Sequence, residues 1–192
     1  MGKLVVSENV SLDGVMQDPR GDEGIGRVDW FTLIGERDRQ EWAAALIAEA
    51  TAAEAMLLGR RSYEFFAQRY PSRRDALAER INSMPKYVVS ATLENPRWSN
   101  TTVLGGEVAT AAEKLKDEVR GEIVVYASGG LVPALFDHGL VDELRLMIYP
   151  CVLGAGRRLF GGTSTVQPLR LVESRTVGDT LALLTYRPTV RE

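Results

Sequence analysis

Glu122-Ile-Val-Val-Tyr126, then Ala127-Ser128-Gly129-Gly130, then Leu131-Val-Pro-Ala-Leu-Phe-Asp-His-Gly139: this stretch decides how the chain is read. Ile123 to Tyr126 are apolar without a break, which predicts a short strand covered on both faces, because a half-exposed strand alternates instead. Ser128-Gly129-Gly130 ends it, and glycine there lets backbone turn and approach a ligand with no Cβ in the way. A helix is predicted from about Leu131, and Gly139 supplies the left-handed residue that stops it. His138 sits in the last turn, where a donor or cation is favourable at a helix C-terminus. Strand, glycine corner and helix together are one unit of an α/β fold.

The same unit recurs outward in both directions. Leu4-Val-Val-Ser7 reads as a first strand leading to the turn Ser11-Leu-Asp-Gly14, and Met16 to Gly35 is a long loop with lid character. Trp42, Leu46, Ala50 and Ala53 mark a helix over 36–53, and Ala55-Met-Leu-Leu58 is a second buried strand. Gly59-Arg60-Arg61-Ser62 turns into a helix bearing Tyr63, Phe66 and Tyr70. Ser72 is expected as the next N-cap, with Asp75 three residues on completing a weak capping box. Lys86-Tyr-Val-Val-Ser90 and Thr101-Thr-Val-Leu104 follow as strands, and Gly105-Gly106 leads into a helix marked by Val108, Leu115 and Val119. Glu143 to Tyr149 is strand-like and closed by Pro150. Leu169 to Ser174 and Thr180 to Tyr186 make a hairpin about Gly178-Asp179. The expectation is an α/β chain, one domain over residues 1–192, with a mostly parallel sheet and an antiparallel C-terminal hairpin.

Composition narrows function. The 192 residues are 45% hydrophobic and 26% charged, enough apolar matter to bury a core rather than stay disordered. A net charge of −3 offers no electrostatic footprint for nucleic acid or for an anionic membrane. One cysteine, Cys151, and one histidine, His138, exclude an internal disulfide framework and the common zinc clusters, so no metal is expected. Cys151, after Pro150 in apolar surroundings, reads as a small hydrophobe rather than a nucleophile. The start lacks the long apolar core of a signal peptide, and no apolar run approaches a membrane helix. The expectation is a cytoplasmic, unanchored protein. A P-loop, a Rossmann fingerprint and a G-x-S-x-G elbow are all missing from the sequence, which leaves a bound redox cofactor as the route to chemistry.

The chemistry concentrates where strands end. In open α/β sheets ligands bind outside the carboxyl ends of strands, where helix N-termini offer unpaired N–H groups to phosphate. Gly59-Arg60-Arg61-Ser62 adds forked guanidinium donors to such a corner, Gly105-Gly106 and Ser128-Gly129-Gly130 add bare backbone, and Ser90 and Thr92 add hydroxyls. Two phosphate-type corners on one edge imply an extended ligand such as a dinucleotide. Trp30 and Phe31 close the long loop, as anchors to the core or as contacts for a substrate.

These motifs occur in a recognisable order: Ser11-Leu-Asp-Gly14, Leu57-Leu-Gly-Arg-Arg-Ser-Tyr-Glu64, Lys86-Tyr-Val-Val-Ser90, Ser128-Gly-Gly130 and Tyr149-Pro-Cys-Val-Leu-Gly-Ala-Gly156. The chain resembles, from about Lys3 to Arg187, the family that joins dihydrofolate reductase to the C-terminal reductase domain of bacterial riboflavin biosynthesis. The resemblance implies an eight-stranded sheet with helices on both faces and NADPH laid across the strand ends. It places Arg60, Arg61 and Ser62, with Gly59, at the cofactor phosphates, and Ser90 and Thr92 at the adenosine 2′-phosphate. It puts Gly105 and Gly106 beside the adenine half. Ser128, Gly129, Gly130, Leu131 and Val132 fall at the pyrophosphate, and Asp13 and Gly14 beside the nicotinamide. Asp13 is then the candidate catalytic group, with an Asx-turn role as the alternative. Trp30, Phe31 and Arg157, the last beside Arg158, are candidates on the substrate side. Of the acids near the start of the first helix, Glu36, Asp38 and Glu41, none is singled out to face a pterin. The implied activity is hydride transfer to a small pterin- or phosphoribosylamino-pyrimidine-like substrate, in a homodimer. Dihydrofolate reduction proper, and a nucleotide-binding dimer without turnover, are the alternatives.

Overall fold

A computed structural model describes residues 1–21, 23, 29–161 and 166–189. In it the apolar runs become the strands of one sheet. These are β1 (Lys3–Ser11), β2 (Ala53–Gly59), β3 (Lys86–Val89), β4 (Thr101–Leu104), β5 (Glu122–Tyr126), β6 (Glu143–Tyr149), β7 (Leu169–Val177) and β8 (Leu181–Pro188). Their order is β4-β3-β2-β5-β1-β6-β8-β7. Neighbours from β4 across to β6 are parallel, and β8 joins β6 and β7 antiparallel. The expected eight-stranded, mostly parallel sheet with an antiparallel C-terminal hairpin is thus present.

Among the described residues five α-helices cover it: α1 (Glu36–Ala52), α2 (Arg60–Arg69), α3 (Ala76–Ser83), α4 (Val108–Glu118) and α5 (Val132–Asp137). Side chains alternate across a strand, so each central strand feeds two cores at once. Leu57, Ile123 and Val125 pack with Ala112 and Leu115 of α4 and with Val132, Leu135 and Phe136 of α5. Met56, Leu58 and Val124 turn the other way, onto Ala50 of α1, Tyr63 of α2, and Leu77 and Ile81 of α3. Double coverage is why these strands read as continuous apolar runs. A third cluster, Trp30, Ile34, Met147, Tyr149, Val177 and Leu181, sits beneath the hairpin.

Three boundaries differ from expectation. The N-cap of α3 is Asp75, which accepts the Ala78 N–H at 3.1 Å, and Ser72 lies outside the helix. Asp75 wins because an ionised carboxylate at a helix N-terminus gains from the dipole as well as the hydrogen bond. Ala53 begins β2 instead of ending α1, since α1 passes directly into the strand. The largest difference is β1, which runs through Glu8 and Asn9 to Ser11 instead of stopping at Ser7.

That extension shapes the molecule's one-sided cleft. On one flank β1 pairs with β6 as far as Ser11↔Tyr149. On the other it pairs with β5 only as far as Ser7↔Tyr126, because β5 turns away at Ala127. Beyond Ser7 the strand therefore has a neighbour on one side and open space on the other. This is the point in an open α/β sheet where ligands bind.

Candidate active site

The parallel strands β4, β3, β2, β5 and β1 all end at one edge, and their corners are stitched to each other. Ser62 at the start of α2 accepts the Ser128 N–H at 2.7 Å. The Ser128 hydroxyl accepts the Gly59 N–H at 3.1 Å and donates to the Tyr126 carbonyl at 2.9 Å. One corner further along, the Arg60 guanidinium donates to the Thr92 hydroxyl and pairs with Glu64 at 2.8 Å. Ser90 accepts the N–H groups of Thr92 and Leu93 at 3.2 and 3.0 Å, and its own N–H reaches the Leu104 carbonyl beside Gly105. The residues singled out at four separate strand ends therefore form one continuous rim.

The β5 corner is strained. Ala127 and Ser128 both adopt left-handed backbone, φ 51° and 64°, a conformation L-residues avoid unless their surroundings force it. The N–H groups of Leu131 and Val132 both donate to the Ser128 carbonyl, at 2.6 and 3.1 Å. Those two amides close the turn, while Gly129 and Gly130 make no such internal bond among the described residues. A Cβ at Gly129 would lie 2.5 Å from the Met16 sulfur and 3.3 Å from Arg157 Nε, so a side chain there requires Met16 to move. Gly130 faces open space.

Beneath this rim, where β1 outruns β5, lies a cavity of about 430 Å³. Arg61 and Arg157 stand at its charged side, and Phe31, Trp42, Leu46 and Phe66 supply apolar wall. Phe31 stacks on Tyr149, centroids 5.0 Å apart. Its neighbour Trp30 is fully buried, donates to the Gln17 carbonyl at 3.2 Å and does not line the cavity. The two candidate substrate aromatics thus divide: Trp30 anchors and Phe31 faces the space. The lid expectation for 16–35 lies partly outside the described residues.

Asp13 is placed differently from a free acid. Its carboxylate accepts the Ser11 hydroxyl at 2.7 Å and the Leu153 and Gly154 N–H groups at 3.1 and 2.9 Å. Arg158 Nε donates to its carbonyl at 2.9 Å. The Ser11 hydroxyl and the two backbone donors hold its pKa well below the usual carboxylate range. Asp13 does not line the cavity; it ties the turn after β1 to the loop after β6, reinforced by the Val15↔Arg158 bridge. Gly14, at φ 78°, completes that turn. Cys151 is half-buried beside it, and burial, with Asp13 nearby, pushes its thiol up.

Sequence reasoning passed over a buried acid among the residues that line the cavity. Glu8 is 5% exposed, and its Oε1 has no hydrogen-bond partner. Burial raises its pKa well above the ordinary value, opposed by Arg157 and assisted by Glu49. A signal was present: Leu4, Val6 and Val10, which share its parity along β1, all belong to the core. A carboxyl in such a row costs desolvation that only a function or a partner explains.

This strand order, with its C-terminal hairpin and its cleft where β1 outruns β5, defines the dihydrofolate reductase-like class of α/β folds. The chain belongs to the RibD C-terminal domain family, whose family model matches residues 2–183. The uncharacterized protein YyaP of Bacillus subtilis (strain 168) is 26% identical over 189 residues, covering 96% of this chain and 94% of its own length. Solved structures share the fold. A riboflavin-biosynthesis candidate from Shewanella sp. PV-4 superposes with a TM-score of 0.77 at 20% identity, over 98% of this chain and 99% of that one. Dihydrofolate reductase from Enterococcus faecalis, complexed with NADP(H) and RAB-propyl, gives 0.64 at 14% identity, over 98% and 97%. No helix among the described residues is long and apolar enough to cross a membrane.

Proposed function

We propose that the chain is an NADPH-dependent reductase acting on a C=N or C=O carbon of a small pterin- or pyrimidine-like heterocycle. The observation that carries this is the rim: four donor-bearing strand ends joined into one edge beside a cavity of heterocycle size. The donor set fits a dinucleotide phosphate. Gly129 and Gly130 offer amides not spent on the turn, and Arg61 brings a guanidinium to the same cleft. Arg60 and Thr92, already in contact, with Ser90 beside them, are the group for the 2′-phosphate, and Gly105 and Gly106 leave room for adenine. When bound, the dihydronicotinamide supplies the hydride. The protein's own part is orientation and exclusion of water. Phe31 and Arg157 face the substrate space, Trp30 holds Phe31 in place, and Asp13 positions the loops that frame it.

Dihydrofolate itself fits less well as substrate. Its recognition in the resembling reductases uses a carboxylate on the first helix, and here Asp38 and Glu41 of α1 are turned to the β7–β8 hairpin. A homodimer remains part of the proposal. β7, one of the sheet's two edge strands, offers a face for it, with Leu171 and Val172 exposed.

Titration of tryptophan fluorescence with NADPH and NADH tests the cofactor. Arg60→Ala and Arg61→Ala are expected to weaken NADPH about ten- to a hundredfold, from loss of charge-assisted bonds, with a smaller effect of Arg60→Ala on NADH. A wild-type chain that binds neither nucleotide overturns the assignment.

A further inference from the structure

We propose that the Glu8 carboxyl reads the substrate ring, pairing through its O–H and C=O with an edge that sets an acceptor nitrogen or oxygen beside an N–H. We further infer that it gives its proton to that ring during reduction. This rests on the reductase assignment above and adds to it the recognising group and the edge recognised.

Four carboxylates are buried among the described residues: Glu8, Asp18, Asp38 and Glu143. Asp18 accepts the Glu23 N–H, Asp38 accepts three N–H groups and a hydroxyl, and Glu143 is bonded by Lys3, Arg145 and Arg187. Glu8 differs from all three in having a buried oxygen with no partner. Its place explains the difference. It is the first β1 residue beyond the end of β5, so it borders the cavity, while its position in the strand denies it water. An unsatisfied buried acceptor is retained against its cost where a ligand completes it.

The surroundings set its charge. Glu8 also borders a second cavity, and the charged and titratable groups lining the two include Arg157 from the loop after β6, Glu49 from α1, Tyr126 from β5, and Arg145, Glu143 and Lys3 around β6 and β1. They also include Arg61, Glu64 and Arg69 from α2, Arg73 after it, Arg20 and Glu23 from the loop after β1, and Glu173, Arg175 and Arg187 from the hairpin. Arg145 is already engaged by Glu49, Glu122 and Glu143, and Arg157 does not outweigh burial. The carboxyl is therefore held neutral, and a neutral acid is a donor beside an acceptor. That pattern complements a lactam or an amino-azine edge. An ionised carboxylate would instead select an amidinium.

The proton step balances. A dihydronicotinamide held at the rim would supply the hydride and be left oxidised, one of its C–H bonds breaking as the substrate's new C–H bond forms. Where the paired acceptor is the nitrogen of the C=N bond, the π pair moves onto it and it takes the Glu8 proton along the existing hydrogen bond, forming N–H. Glu8 is left as carboxylate and recovers a proton from solvent before the next cycle.

The test uses pterin (2-aminopteridin-4-one) as probe, its fluorescence reporting binding to the full chain with NADP⁺ present. Glu8→Gln keeps a donor beside an acceptor and is expected to hold pterin within about threefold. Glu8→Ala is expected to lose about ten- to a hundredfold. Equal losses in both variants would show an ionised carboxylate and overturn the proposal, as would indifference to Glu8→Ala. In the infrared, the C=O band of a protonated carboxylic acid is expected at neutral pH in the wild type and absent in Glu8→Gln; no such difference overturns the neutral assignment. NADPH titrations separate the two levels. A wild type blind to NADPH sinks the reductase assignment, whereas intact NADPH binding with pterin indifferent to Glu8 sinks only this one.

Discussion

The C-terminal hairpin clasp and the β1–β5 cleft both bury a carboxylate, and they treat it in opposite ways. At the clasp, Asp38 of α1 accepts the N–H groups of Gly35, Asp179 and Thr180 and the Thr180 hydroxyl, at 2.5–3.1 Å. Those donors, the Thr180 hydroxyl first, hold its pKa down at about 2. Where the clasp needs left-handed backbone it uses Gly178, φ 65°, whose missing Cβ would collide with Asp38. At the cleft, Glu8 is left without a full set of partners, and the left-handed positions are filled by Ala127 and Ser128. At the clasp the Asp38 carboxylate and the left-handed backbone are both accommodated; at the cleft the Glu8 side chain and the backbone both carry cost. A folded chain keeps such costs where a ligand offsets them.

The largest effect expected from this contrast lies at the clasp. Trp30 is fully buried and packs edge-on against Phe31 and Tyr149, with centroids 4.9 and 5.0 Å away. Trp30→Ala should cost about 3–5 kcal/mol of stability in urea unfolding, the range for emptying a buried aromatic site. NADPH affinity, measured well below the unfolding transition, should hardly move, because Trp30 lies outside the cavity. Comparable loss in both measurements would erase the division between clasp and cleft.

The sequence made the hairpin and the sheet legible because both follow general rules, whereas the Asp38 bonds that clasp the hairpin join residues far apart in the chain. Continuous apolar runs such as Ala55–Leu58 declare double coverage, and Gly178-Asp179 declares a hairpin. The rim was legible as separate corners, since Gly59–Ser62 and Ser128–Gly130 carry their chemistry in local composition. Their junction through Ser62 and Ser128 was not, because it spans residues far apart in the chain. Asp13 read as a catalytic candidate or an Asx-turn residue; its partners Leu153 and Gly154 come from the far end of the sequence. Glu8 was missed for a plainer reason. Glu8-Asn9 looked like the polar end of a strand, whereas β6 supports β1 past that point and leaves the carboxyl at the cleft.

A middle-sized effect, opposite in sign, is expected at the cleft. Glu8→Leu replaces an unsatisfied carboxyl by an apolar side chain in an apolar row. It should raise stability at pH 7 by about 1–2 kcal/mol while removing turnover. The pH dependence follows from the raised pKa. Below the ordinary value of 4.5 the carboxyl is protonated in both folded and unfolded chains, and wild type loses nothing. As pH rises above 4.5 the unfolded chain gains by releasing a proton that the folded chain retains, so wild-type stability falls relative to Glu8→Leu. A stability difference between the two proteins that stays flat from pH 4 to 7 would mean Glu8 titrates normally.

The smallest effect concerns the strained corner itself. Ala127 at φ 51° bears a left-handed penalty that glycine does not, of about 1 kcal/mol, partly returned by glycine's greater freedom in the unfolded chain. Ala127→Gly should therefore leave stability unchanged or raise it by up to about 1 kcal/mol. The same change loosens the turn that presents the Gly129 and Gly130 amides, so NADPH binding should weaken about two- to fivefold through lost preorganisation. The two readouts must separate for the contrast to hold. Stability rising while NADPH affinity falls marks strain kept for binding, whereas affinity that rises with stability would make Ala127 a defect of packing with no part in the site.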